Sequence, residues 1–128
     1  MFSHVVIGAK DVDASKKFYD AALGALGIAP GSAIGPERCV YATPTGMFIV
    51  THPIDGNAAT HANGGTIGFA ATSPEQVEAW HAAGVAAGGT ACENPPGVRD
   101  FGEGNKLYLA YLRDPAGNKL CAMHRMAA

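Results

Sequence analysis

The sequence is poor in the features that mark membrane, nucleic-acid-binding and secreted proteins. Only 16% of its 128 residues are charged, and the formal net charge is −2. Lysine and arginine form no cluster, so we expect neither a nucleic-acid partner nor an anionic membrane surface. No apolar run approaches the roughly 20 residues that a membrane helix needs. Residues 1–7 lack the basic start of a signal peptide, so we do not interpret them as one.

Cysteines are few and do not suggest disulfides. Cys39, Cys92 and Cys121 are an odd number and include no CxxC pair. We therefore expect reduced thiols and a cytoplasmic location. GxGxxG, P-loop, GxSxG and HExxH motifs are missing, which removes the usual support for nucleotide binding and hydrolase chemistry. The 48% hydrophobic content and 17 glycines instead indicate a globular protein with many turns.

The sequence of the first half predicts one helix and three strands, separated by turns and loops. Residues 3–7 favour a strand, and residues 11–26 have apolar side chains at helical spacing after an aspartate that can cap the helix. A Gly- and Pro-rich loop follows over 29–36. Strands are then predicted over 39–42 and 47–52.

The second half repeats this order after a Gly- and Asn-rich linker. A strand is predicted over 66–71, and Ser73 with Pro74 and Gln76 forms a capping box that begins a helix. The C-terminal part predicts a strand, a turn and a last strand over 107–124. The turn Asp114-Pro115-Ala116-Gly117-Asn118 combines the residue types that turns require.

This order indicates an internal repeat. Aligning His4 with Ile67 matches the first strands, and aligning Val50 with Cys121 matches the last. We therefore predict an α+β fold with two tandem βαβββ modules that form a cup-shaped, partly open β-barrel with helices outside. The predicted single domain has module one at about 1–53, a linker at about 54–64 and module two at about 65–128. The four aligned positions should converge on the concave face.

Several motifs resemble the vicinal-oxygen-chelate superfamily of glyoxalases, bleomycin-resistance proteins and extradiol dioxygenases. They include His4 in the first strand, Phe18-Tyr19 in the first helix and Gly68-Phe69-Ala70-Ala71 at the start of the second module. The most specific is the Asp-Pro-x-Gly-Asn turn before the last strand. The resemblance implies a divalent metal in the cup that acts as a Lewis acid on substrate oxygens.

The implied metal site is incomplete in this sequence. Of the four aligned positions only His4 carries a typical ligand, while Val50 and Ile67 have no donor atom and are interpreted as walls of a substrate pocket. A divalent metal held by His4 and Cys121 stays open, but two ligands fall short of the three or four that zinc prefers. His52, near Val50 on the same strand, is the candidate for a third. No cofactor is assigned.

The remaining candidates concern substrate. We predict His4 as the catalytic residue, a general base. Arg99 is predicted to clamp a substrate carboxylate or phosphate, and Tyr108 to offer its phenol to a bound oxygen. Cys121 and His52 complete the predicted substrate-binding set with Val50 and Ile67. Each of these residues also fits a purely structural role.

Two functions remain open from the sequence. The first is a glyoxalase-like lyase, isomerase or dioxygenase that acts on a small oxygen-bearing or aromatic molecule. The second is a non-catalytic protein that sequesters such a molecule, as resistance proteins of the superfamily do. We also expect a homodimer, formed by pairing of cups or by exchange of modules between chains.

Overall fold

The structure is a computed structural model that describes residues 1–126. Over these residues it contains two helices and nine strands, in the order β1 (His4–Gly8), α1 (Val12–Gly24), β2 (Ser32–Ile34), β3 (Arg38–Thr43), β4 (Gly46–Thr51), β5 (Ile67–Ala70), α2 (Pro74–Ala86), β6 (Thr90–Ala91), β7 (Gly97–Asp100), β8 (Lys106–Arg113) and β9 (Lys119–Arg125). Neither helix in this part of the chain is long and apolar enough to cross a membrane.

The strands form two mixed sheets. The first has the order β1-β4-β3-β2, and the second has the order β5-β9-β8-β6 with β7 also paired to β8. In each sheet the first strand runs parallel to the last, and the other pairs are antiparallel. The predicted α+β fold with two tandem modules is confirmed. Across residues 1–126 the sheets stay open and are not closed into a barrel.

Local sequence explains where the helices begin. The Asp11 carboxylate accepts a hydrogen bond from the Ala14 amide, and the Ser73 hydroxyl accepts one from the Gln76 amide. Each satisfies an amide that the first helical turn leaves without a partner. The short strand β2 lies inside the segment predicted to be a loop. Pairing with β3 supplies its hydrogen bonds, so tertiary contact overrides its weak local preference.

One hydrophobic core joins the modules. The two helices pack against each other, and each also packs on strands of its own module. Trp80, Phe18 and Leu112 are fully buried in this core. Phe48 of module one meets Phe69 of module two edge to face, with ring centroids 5.3 Å apart. These contacts join the buried side chains of both modules in one hydrophobic cluster.

A buried polar cluster, here called the Asp114 network, also connects the modules. The Tyr19 hydroxyl donates to Asp114 Oδ2 at 2.6 Å, and Asn118 Nδ2 donates to the same oxygen at 2.9 Å. Asn118 Nδ2 also donates to the Gly8 carbonyl at 2.8 Å. The other carboxylate oxygen accepts the Ala116 and Asn118 amides. Burial, together with the neighbouring Asp114 carboxylate, raises the pKa of Tyr19 well above its ordinary value.

The backbone fixes how the two modules correspond. The Ala9 amide donates to the Thr51 carbonyl at 2.9 Å, and the Ala71 amide makes the same bond to the Met123 carbonyl at 2.8 Å. Ala9 therefore corresponds to Ala71, and Thr51 to Met123. In this register His4 corresponds to Thr66, and Cys121 to Ile49. The sequence alignment, which paired His4 with Ile67 and Val50 with Cys121, is wrong by one residue in each half.

Candidate functional site

Each sheet has a face that packs on the helices and a face that the helices leave open. On β1 and β4 the open face carries His4 and Met47, which are register partners, and Val6 with Ile49. Val6 and Met47 are 50% and 42% exposed. This face is therefore apolar and accessible, as a surface that binds a ligand or a partner would be.

Val50 and Ile67 do not lie on the open faces. Val50 is fully buried in the core, and Ile67 packs against the same core. The prediction that both residues lie on the concave face is therefore wrong. Because side chains alternate along a strand, a slip of one residue in the alignment moves the predicted position to the opposite face.

Tyr108 is also on the helix face. Its hydroxyl donates to Glu78 of α2 at 3.2 Å. The tyrosine that faces the open side of β8 is Tyr111, which pairs with Cys121 across the β8–β9 ladder. Strict alternation along 106–113 could have identified it, since Ala110 and Leu112 share the buried face with Tyr108.

The open face of module two holds Cys121 and Arg99. Burial raises the pKa of the Cys121 thiol, so this cysteine stays protonated at neutral pH and is a poor nucleophile. Arg99 Nη2 donates to the Asn94 and Pro95 carbonyls at 3.1 and 3.0 Å, which holds the guanidinium in place. Nearby, Lys119 forms an ion pair with Glu93.

An apolar cavity of about 490 Å³, here called the His4 cavity, lies where the edge strands β1 and β5 approach the end of α1. His4 and Ile67 both border it. Its apolar walls come from both modules and include Leu23, Leu26, Ile28, Phe48 and Phe69. The His4 ring is oriented by Ser3, whose Oγ lies 2.7 Å from Nδ1.

Two further cavities lie at the other end of β1, with volumes of about 560 and 550 Å³. Both are bordered by His52, together with Arg38 and the linker. The structure therefore places His4 with Ile67 in one cavity and His52 in another region. Val50, Arg99, Tyr108 and Cys121 border none of these three cavities.

The residues do not fit the metal that the resemblance implies. Within residues 1–126, no three His, Cys, Asp or Glu side chains are grouped closely enough to hold a metal ion. In the corrected register the four equivalent positions carry His4, Ile49, Thr66 and Cys121. Isoleucine has no donor atom, and a neutral threonine hydroxyl is not among the usual zinc ligands. We therefore derive no chemistry from a metal.

Comparison with known proteins decides the family. Residues 1–122 match the Glyoxalase/Bleomycin resistance protein/Dioxygenase superfamily. The chain belongs to this superfamily. It is 63% identical in sequence to a glyoxalase/bleomycin resistance protein from Albidiferax ferrireducens with a known crystal structure. The match covers 98% of this chain and 99% of that chain, with a TM-score of 0.93.

More distant members of the glyoxalase superfamily share the fold. A glyoxalase-related enzyme from Fulvimarina pelagi is 19% identical with a TM-score of 0.73, over 96% of this chain and 86% of that one. Lactoylglutathione lyase from Agrobacterium tumefaciens is 20% identical with a TM-score of 0.65, over 96% and 92% of the two chains. No functionally curated protein matches the sequence.

Proposed function

We propose that this glyoxalase-superfamily protein binds a small, mainly apolar molecule with an oxygen substituent in the His4 cavity. The observation that carries the proposal is the cavity itself. Its volume of about 490 Å³ is in the range of small-molecule sites, and its walls are mainly aliphatic and aromatic, with the His4 imidazole and the side chains of Ser3, Thr43 and Thr45. Phe48 and Phe69 offer ring edges and faces to an aromatic ligand.

His4 is the polar anchor of the proposed site. Ser3 occupies Nδ1, and among residues 1–126 no hydrogen bond reaches Nε2. That nitrogen is available to a ligand oxygen, as a donor or as an acceptor according to the tautomer. Ile67 contributes to the wall through its partly buried side chain.

Sequestration without chemistry is the first candidate function. It is favoured by Ile49, which occupies a position where the superfamily resemblance implies a metal ligand. Metal-independent lyase or isomerase chemistry is the second candidate. The Ser3–His4 hydrogen bond favours it, because a general base needs a group that fixes its ring.

We also propose a homodimer in which module one of one copy lies beside module two of its partner. Within residues 1–126 the edge strands β1 and β5 each pair with a strand on one side alone, and exposed apolar residues lie on the open face of module one. In such a dimer Arg99 and Cys121 of one copy would approach His4 of the other and act as ligand contacts.

Three unpaired cysteines favour a reducing compartment, the cytoplasm.

The test is ligand binding by wild type and two histidine variants. We would measure affinity by calorimetry for a panel of 2-oxoaldehydes, thiol adducts and aromatic drugs, and assay each binder for turnover. His4→Ala should weaken binding about tenfold, the loss of one good hydrogen bond. His81→Ala, on the outer helix, is the matched control. Equal affinities for wild type and His4→Ala would refute the proposed site.

Two physical measurements complete the test. Sedimentation equilibrium should give twice the chain mass, and a monomer at tens of micromolar would refute the dimer. Elemental analysis of chelator-free protein should give well under one divalent metal per chain. Stoichiometric zinc or nickel would overturn the metal-independent proposals and require donors from a partner chain.

A further inference from the structure

The two cavities at the far end of β1 exist because the linker folds back over the sheet. Ala59, in the middle of the linker, is only 7% exposed. It packs so closely on Gly8 that a Cβ at Gly8 would lie 3.0 Å from the Ala59 Cβ. The cavities, here called the linker cavities, share seven lining residues: Arg38, Thr51, His52, Pro53, Ile54, Ala58 and Ala59.

Arg38 gives this region an available positive charge. It pairs with Thr51 on the open side of the sheet and is exposed. Among residues 1–126 its guanidinium makes no hydrogen bond or ion pair. The Thr51 hydroxyl, by contrast, is committed to the Glu37 and His52 carbonyls.

The acidic groups nearby do not neutralise Arg38. Asp55 accepts a hydrogen bond from the Asn57 amide at 2.9 Å and so stabilises the linker turn. Glu37 borders one of the two cavities, and its carboxylate lies beyond ion-pair distance of Arg38. Lys10 and His52 add further donors to the same walls. An anionic group would therefore meet several donors and two competing carboxylates, Glu37 in one cavity and Asp55 in the other.

Apolar side chains stand next to the guanidinium. Val6 is 50% exposed, and Ile54 is completely exposed. The linker residues that follow Ile54 are small or polar. Both border the same cavity as Arg38. Exposed aliphatic side chains beside an unpaired guanidinium match a ligand with an apolar body and an anionic end.

We propose that the linker cavities bind a small carboxylic acid with an apolar body. Arg38 would hold the carboxylate through two parallel N–H···O bonds, and Val6 and Ile54 would cover the body. This second site lies at the opposite end of β1 from His4. It therefore does not depend on the function proposed for the His4 cavity.

The test uses benzoate as the probe, and its binding to the full chain is measured by ¹H–¹⁵N NMR titration. Saturable shifts are expected at Arg38, His52 and Ile54. Arg38→Gln should weaken binding about tenfold or more, because a charge-assisted bidentate contact is lost. Glu37→Gln should tighten binding, since it removes one of the two competing carboxylates. His4→Ala should leave the benzoate titration followed at Arg38 and Ile54 unchanged, which separates this site from the other.

Controls address charge and hydrophobicity. Arg125→Gln removes the same charge from an exposed position that borders neither cavity, and it should leave binding intact. Benzyl alcohol and benzylamine share the apolar body and should cause no saturable shifts at Arg38, His52 or Ile54. The proposal is overturned if Arg38→Gln binds as wild type does, if Arg125→Gln is equally weakened, or if benzylamine binds as well as benzoate.

Discussion

The Asp114 network permits a quantitative test of how the modules are held together. The change is Tyr19→Phe, which deletes one hydroxyl and keeps the ring. That ring packs edge to face on Phe18 and Phe48, with both centroids 4.9 Å away, so the variant should create no large cavity. What is lost is the 2.6 Å hydrogen bond to a carboxylate.

A hydrogen bond to a charged group contributes about 1.5–3 kcal/mol. Asp114 keeps its bonds to Asn118 Nδ2 and to two amides, so the carboxylate is not left without partners. For a domain of this size each kcal/mol corresponds to roughly 3–6 °C in Tm. We therefore expect Tyr19→Phe to lower Tm by roughly 5–18 °C.

The assay is thermal and urea unfolding followed by circular dichroism, with Tyr108→Phe as the matched control. Tyr108 also donates to a carboxylate, but that bond is longer, at 3.2 Å, and exposed. Its loss should cost less than about 0.5 kcal/mol. If both variants lose the same stability, burial does not strengthen the Tyr19 bond and the reasoning fails.

Three other predictions follow from the same structure. Because the pKa of Tyr19 is raised, the folded state keeps a proton that the unfolded chain releases above about pH 10. The free energy of unfolding should therefore fall as the pH rises through this range, and it should fall less steeply in Tyr19→Phe. Urea titrations of both proteins at pH 9 and 11 would show this. Gly84→Ala should destabilise by about 1–3 kcal/mol in thermal unfolding, since its Cβ would overlap the fully buried Leu112, whereas Gly24→Ala meets no atom and should be neutral or stabilising. Ser73→Ala should cost about 1 kcal/mol by removing the cap of α2, and an unchanged Tm would contradict that role.

The fold was predictable because its signals are local. The capping residues Asp11 and Ser73 fix the helix starts, and the Asp114 turn fixes the last hairpin. Strand β2 was not predictable, because its exposed residues are held only by pairing with β3. The alignment of the modules failed for a different reason, since it matched the strands first and accepted an offset of about one residue between the helices.

The sequence contained the correction. Asp11 and Ser73, the two caps, are separated by the same interval as Phe18 and Trp80, and this interval pairs His4 with Thr66 rather than Ile67. In the last strands the turn after Arg113 is longer than the turn after Thr43, which displaces Cys121 from Val50 to Ile49. The cavities, which depend on how linker and edge strands pack, have no comparable local signal.

The Asp114 network also breaks the symmetry of the repeat. The turn of module one, Thr43-Pro44-Thr45-Gly46, has no aspartate or asparagine, and the residue equivalent to Tyr19 in α2 is His81. The tyrosine hydroxyl that donates this hydrogen bond is therefore found in the first module, and the aspartate that accepts it is found in the second. A chain assembled from two copies of either module would retain its strand and helix pattern, yet it would lose this interior bond. The two halves have diverged into complementary parts that can no longer replace each other.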